Sequence, residues 1–380
     1  MQKKLLLSPG PTPVPSEALL AMAQPIIHHR TPEFTEVFNQ VQEGLKYLFQ
    51  TENDVIVIAG SGTSAMEASV SNILSPGDKA ICIRGGKFGE RWAELCQAYG
   101  VEAINIDVEW GKALDPQVLA ECLTKNSDAK AVYATMSETS TGVKFDIESF
   151  AKIVGKHPQT VLVVDAITAV GVMDVPMDKW GIDVLVCGSQ KALMLPPGLG
   201  FISLSEKAWD FTESSKCPKY YLDLRKEKKS LAKGQTSYTP AVSLIMGLNE
   251  TLKMIREEGL TNLFKRHATL AAATRAGCQA VGLELLAKDS PSDAVTAVKS
   301  PDGTDATQIV KKMKGKYGMI IAGGQAELKG KIFRIAHLGY FDKCDIFSAI
   351  AHLEISLKEL GLPVKLGAGI AAAEDVFLSE

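Results

Sequence analysis

Asp165 closes the apolar run "TVLVVD", and Lys191 stands three residues after Gly188, where the run "VLVCG" stops. The interval, 191 − 165 = 26 residues, holds a loop or short helix and one further strand. Both side chains can therefore reach one bound group from neighbouring strand ends. A carboxylate buried at a strand end needs a cationic or donor partner, although aspartate also caps turns there. A lone lysine is most often a surface residue. This one is followed by Pro196 and Pro197, which stiffen the chain behind it and hold the amine still. Upstream, "AGSGTSAMEA" (59–68) carries Ser61, Gly62 and Thr63 between an apolar run and a helical stretch. Small residues there admit close backbone approach, and the first amides of a helix attract phosphate. The stretch has neither the G-x-x-x-x-G-K-[ST] pattern nor the third glycine of a dinucleotide fingerprint. In "RGGKFGERW" (84–92), Phe88 sits on a glycine-rich loop, where an aromatic either stacks on a planar ligand or joins the core.

Taken together these are a phosphate cradle, an aromatic plate, a carboxylate and an amine, all at strand ends. Pyridoxal 5′-phosphate has a phosphate, a flat ring, a ring nitrogen and an aldehyde, and each finds a counterpart here. A carboxylate keeps the ring nitrogen protonated. A buried amine near cationic groups loses its proton more easily and becomes a nucleophile and proton carrier. Arg334, between Phe333 and Ile335 in an apolar run, suits a substrate carboxylate, which a guanidinium binds bidentately.

The elements that must position these residues can be read from the alternation of apolar β-rich runs with helical patterns. "VIVIA", "KAICI", "EAINIDV", "KAVYATMS", "TVLVVDA", "DVLVCGS" and "FISLS" read as strands, and amphipathic segments follow most of them. Near-continuous Val/Ile runs are strands buried on both faces, so the expected fold is α/β, a mostly parallel sheet sandwiched by helices. After Pro240 the texture changes. Two helical stretches meet at Gly259, followed by a smaller α+β region with strands near "DAVTAVKS" and "GKIFRIAHL" and a last helix near "DIFSAIAHLEISLKELG". The expected organisation is an N-terminal arm (1–15), a large cofactor-binding domain (16–245) and a small C-terminal domain (246–380). The lysine-rich stretch 220–234 reads as a solvated loop or helix.

Composition narrows the function classes. The chain has 380 residues, 46% hydrophobic and 22% charged, with a net charge of −3. That is a globular composition without the basic excess that nucleic acid or an anionic membrane would call for. Seven scattered cysteines, with no C-x-x-C pair, fit reduced thiols in a cytoplasmic protein and argue against a zinc site or a disulfide framework. "MQKKLLLSPG" is too short in apolar residues for a signal peptide. The adjacent His28 and His29 cannot share one helix face, and no metal site is expected.

The ordered set "SPGPTPVP", "GSGTSAMEA", "GGKFGERW", "SETSTGV", "VVDAITAVG", "GSQKAL..PPG" and "FRIAHLG" resembles the class V, fold-type I, pyridoxal-phosphate aminotransferases, in particular the alanine–glyoxylate / serine–pyruvate subgroup. The resemblance covers nearly the whole chain. It implies an aspartate-aminotransferase-like fold, a Schiff base on Lys191, and Asp165 against the pyridinium nitrogen. It puts Phe88 on the ring where many relatives have Trp. Ser61, Gly62, Thr63 and Gln190 would hold the phosphate, and Thr139 would lie near the ring hydroxyl. Thr236 and Thr239 would reach the phosphate of a neighbouring subunit in a homodimer with shared sites. Arg334 would clamp the substrate carboxylate. The implied reaction moves the amino group of a small L-amino acid, alanine or serine, to a 2-oxo acid, glyoxylate or pyruvate. Aspartate is the alternative donor, with Arg30 the candidate for its distal carboxylate. A lyase of the cysteine desulfurase type would need a cysteine near Arg334. "GGQAELKGKIF" has none, and Cys344 lies beyond it.

Overall fold

The computed structural model describes residues 4–379. Residues 1–3 and 380, the outermost parts of the expected arm and small domain, lie outside the described residues. Seven strands form the main sheet: β1 (Val55–Gly60), β2 (Lys79–Arg84), β3 (Glu102–Asp107), β4 (Ala131–Thr135), β5 (Val161–Asp165), β6 (Val184–Gly188) and β7 (Gly198–Leu204). Their spatial order is β1-β7-β6-β5-β4-β2-β3. The pairs β2/β3, β2/β4, β4/β5 and β5/β6 are parallel. β7 runs antiparallel to both of its neighbours, β1 and β6. Every residue of β4, β5 and β6 is buried. A parallel sheet covered by helices on both faces has that property, which is why these segments read as unbroken apolar runs.

Two apolar cores lie on the sheet, one built around Phe38, Val164, Leu185 and Phe201 and the other around Met66, Trp92, Tyr133 and Val163. Consecutive residues of β5, Val163 and Val164, feed opposite cores, as the period of two along a strand requires. A second, three-stranded antiparallel sheet joins β8 (Val295–Lys299), β9 (Ala322–Gly323) and β10 (Ile332–Ala336) in the order β8-β10-β9. Its core, with Phe333, Ile335, Ile350 and Leu353, is separate from the other two.

The helix Val242–Glu258 is continuous across the expected boundary at 245/246. Its Ile245, Leu248, Leu252 and Ile255 pack into the large sheet's core. The lysine-rich segment contains the helix Leu224–Leu231, in which only Leu224 is buried. Among the described residues no helix is long and apolar enough to cross a membrane, and no cluster of side chains could hold a metal ion.

Candidate active site

β5 and β6 are parallel neighbours, and their registration sets Asp165 opposite Val186. Asp165 ends β5, and Lys191 follows β6 by three residues, so both emerge from the same sheet edge. Asp165 is 4% exposed and Lys191 8%. The Asp165 carboxylate accepts a hydrogen bond from the Ile167 amide at 2.9 Å. Burial raises its pKa to about 7, against the pull of that amide and of the Arg91 and Lys191 charges. Burial also lowers the Lys191 pKa to about 8, with Arg334 and Arg91 pushing the same way and Asp165 opposing. Each is thus displaced toward neutrality, and a cationic partner on the carboxylate would restore its charge.

The loop carrying Lys191 is clamped more firmly than its prolines alone would ensure. The Ser189 hydroxyl donates to the Pro196 carbonyl at 2.7 Å and accepts from the Leu199 amide at 3.2 Å. The Ser189 amide donates to the Leu199 carbonyl and the Leu195 amide to the Ser189 carbonyl, at 3.0 and 3.2 Å. These bonds close the loop into a hairpin-like clasp. The strand expected at "FISLS" starts earlier, at Gly198, so Gly198-Leu199-Gly200 belongs to β7. The N-terminal arm lies directly over the amine: Lys191 Nζ donates to the Pro9 carbonyl, and the Thr12 hydroxyl donates to the Lys191 carbonyl at 2.8 Å. Gly10 has φ +133° and faces the lysine side chain, so any Cβ there would collide with Nζ.

The expected phosphate segment runs into a helix N-terminus. Ser61 is the N-cap of the helix Gly62–Ile73, and its hydroxyl makes no capping bond. That hydroxyl and the first amides of the helix remain available to an anion. A Cβ on Gly62 would run into the Ile167 side chain, which would have to shift. The Thr63 hydroxyl accepts from Arg91 Nη1 at 3.1 Å. Phe88 is in the first turn of the helix Lys87–Ala98, and the Arg91 guanidinium lies 5.0 Å from its ring centroid. Gln190 Oε1 and Thr135 Oγ1 are buried without a hydrogen-bond partner. Buried orphan polar groups are rare, and beside an amine, a carboxylate and a helix N-terminus they fit a polar cofactor such as pyridoxal 5′-phosphate.

Arg334 comes from β10 of the small sheet and is 5% exposed. Its Nε and Nη2 donate to the Gly323 carbonyl at 3.1 and 2.7 Å, and its Nη1 to the Thr139 carbonyl at 2.8 Å. The Thr139 hydroxyl meets the Thr168 hydroxyl at 2.8 Å. Burial lowers the Arg334 pKa to about 10, which leaves it charged at neutral pH.

Thr236 and Thr239 line a cavity with Ala59, Leu199, Tyr221 and Tyr238. The Thr236 hydroxyl donates to the Tyr238 carbonyl at 2.7 Å. Among the described residues no hydrogen bond joins either threonine to Ser61, Gly62, Gln190 or Lys191. Arg30 is committed to the same loop, donating to Gln235 Oε1 at 2.9 Å and to the Thr236 carbonyl at 2.7 Å. Glu138, Ser189, Arg91 and Pro9 were not singled out from sequence. Glu138 stands inside "SETSTGV", so its motif was in view while its burial was not.

The family profile "Aminotransferase class-V" matches residues 5–335. The chain is 48% identical to the "Soluble hydrogenase 42 kDa subunit" of Anabaena cylindrica, covering 99% of each chain. It is 39% identical to an L-aspartate–glyoxylate aminotransferase of Paracoccus denitrificans, over 97% of this chain and 94% of that one. A serine–glyoxylate aminotransferase of Hyphomicrobium methylovorum is 38% identical, over 98% and 94%. Among solved structures, the ureidoglycine–glyoxylate aminotransferase of Bacillus subtilis superposes with a TM-score of 0.95 at 29% identity, covering 99% of this chain and 98% of that one.

Proposed function

The chain belongs to the class-V aminotransferases, enzymes that work on pyridoxal 5′-phosphate, and on that premise we propose that it transfers the amino group of a small L-amino acid, alanine or serine, to glyoxylate or pyruvate. The observation that carries this reading is the convergence of a buried amine, a buried carboxylate and a buried guanidinium: Lys191, Asp165 and Arg334. Glyoxylate as acceptor draws further support from three of the relatives described above, each of which is named for it.

Pyridoxal 5′-phosphate would supply an electron sink for the pair left at Cα. The residues of the chain supply the rest. Lys191 Nζ, with its pKa lowered to about 8, would be available as a neutral amine to hold the cofactor and, once free of it, to take the Cα proton and return it. Asp165 would keep the ring nitrogen protonated. Ser61, Gly62, Thr63 and Gln190 would hold the phosphate, Phe88 would pack on the ring and Thr139 would lie beside its hydroxyl. Arg334 receives the substrate carboxylate and fixes which Cα bond faces Lys191.

Small donors are favoured because Arg30, the candidate for a distal carboxylate, is spent on the Gln235–Ser237 carbonyl cluster. The same loop supports a dimer. Among the described residues Thr236 and Thr239 make no hydrogen bond to the phosphate-binding candidates of their own chain, and in a two-fold pair they would complete the partner's phosphate site. We read the enzyme as cytoplasmic, since all seven cysteines are free thiols. A panel of alanine, serine and aspartate against glyoxylate and pyruvate, read by keto-acid product, tests the assignment. Turnover of alanine or serine with glyoxylate is the expected result, and a strong preference for aspartate would overturn the donor assignment.

A further inference from the structure

Glu138 is fully buried, 0% exposed, and none of the roles above uses its side chain. Its carboxylate gathers donors only. Oε2 accepts from the Phe88 amide at 3.1 Å and the Gly89 amide at 2.9 Å. Oε1 accepts from the Ser140 amide at 3.0 Å and the Ser140 hydroxyl at 2.6 Å. The Ser140 hydroxyl is oriented in turn, because its oxygen accepts from the Lys87 amide at 3.0 Å. Only an acceptor on both oxygens satisfies this set, which selects an ionised carboxylate. Burial raises the Glu138 pKa above the usual carboxylate value, with the four donors opposing it. The packing is close enough that a Cβ on Gly86 would lie 2.5 Å from the Glu138 side chain.

The two groups that Glu138 joins belong to different halves of the site. Phe88 is the aromatic plate of the large sheet's cofactor face. Thr139, between Glu138 and Ser140, presents the carbonyl that takes Arg334 Nη1. The Glu138 carbonyl also closes its own turn by accepting from the Gly142 amide at 2.8 Å. Thr139 therefore has little freedom to turn its carbonyl away from Arg334. We propose that Glu138 is a positioning residue that ties the aromatic plate to the substrate-binding arginine, so that ring packing and carboxylate capture depend on one buried anchor. The inference rests on the transamination reading of the site.

Glu138→Gln is the decisive variant. An amide turns an NH₂ group toward either the Phe88 and Gly89 amides or the Ser140 amide, so one side of the anchor opposes donor to donor. Losing charge-assisted bonds of this kind weakens a held geometry enough for about a tenfold or larger change in a binding constant. Two constants are read: cofactor dissociation, by titrating the cofactor-free protein with pyridoxal 5′-phosphate and following visible absorbance, and the binding of 2-methylalanine to the loaded protein. That amino acid carries the carboxylate but has no Cα hydrogen to lose, so turnover does not enter. Both constants should rise, and Phe88→Ala should weaken the cofactor less in the Glu138→Gln background than in the parent.

Ser140→Ala removes the shortest bond and keeps the carboxylate. It should give the same pair of shifts at smaller size, and it carries the test if Glu138→Gln does not fold. A folded variant in which either constant keeps its parent value overturns the coupling, whatever happens to its melting temperature. A parent protein that shows no visible band on loading overturns the transamination reading instead.

Discussion

Replacing Arg334 with lysine keeps a positive charge and removes a fork. A guanidinium has five N–H groups. Three are already directed at the Gly323 and Thr139 carbonyls, which leaves 5 − 3 = 2, one on each terminal nitrogen. A carboxylate accepts two such N–H groups side by side. A lysine ammonium has three N–H groups on one atom and cannot satisfy two separated carbonyls and both carboxylate oxygens together. Burial, which already lowers the Arg334 pKa to about 10, acts on an ammonium in the same direction, so part of the charge is lost as well. Truncating one partner of a desolvated charged pair costs about 2–4 kcal/mol, which is roughly 30- to 1000-fold in kcat/KM. Steady-state kinetics of Arg334→Lys should show that loss mainly in KM, with the visible spectrum of the loaded protein unchanged. Near-parent kcat/KM would refute the carboxylate role. Loss of the spectrum would show that Arg334 supports the cofactor rather than the substrate.

Asp165→Asn should retain cofactor while slowing the chemical step by orders of magnitude, since the ring nitrogen loses its anionic partner; a near-parent kcat would make Asp165 a structural residue only. Attachment of cofactor to the cofactor-free protein needs neutral Lys191, so with a pKa lowered to about 8 its rate should climb with pH, reach half its maximum at that pKa and level off roughly one unit above it. A rate still climbing at pH 10 would mean that Lys191 is not desolvated. His267, fully buried among neutralising surroundings with its pKa lowered to about 3, binds a proton in the unfolded chain that it refuses when folded. Its contribution to stability is complete above about pH 6.5 and is lost as pH falls from there toward about 3; His267→Gln should flatten the acid limb of the melting curve, and an unaltered limb would contradict this. Sedimentation should show a dimer, and a fully active monomer would dismiss the exchanged Gln235–Thr239 loop.

The features legible in the sequence are those that one local pattern can carry. Unbroken Val/Ile runs announced β4, β5 and β6 because these strands are covered on both faces. Asp165 and Lys191 stood out as polar residues at the ends of such runs, and Arg334 as a charge inside one. The rest depends on chain segments meeting from afar. The antiparallel direction of β7 follows from its pairing with β1 and β6, and no periodicity records direction. Pro9 reaches Lys191 across 182 residues, and Glu138 reaches Gly89 across 49, so their roles exist only once the arm folds over the site and the two loops meet. Ser189 carries no pattern of its own in the sequence, yet its hydroxyl makes the bonds that close the lysine loop.

The central claim is that Lys191 bears the cofactor. Loading the protein with pyridoxal 5′-phosphate, reducing it with borohydride and mapping the peptides tests it most directly. A visible band that disappears on reduction, with the pyridoxyl mass on Lys191 and neither signal in folded Lys191→Ala, is the predicted result. A label on another lysine, or a Lys191→Ala variant that keeps both the band and normal turnover, would contradict it.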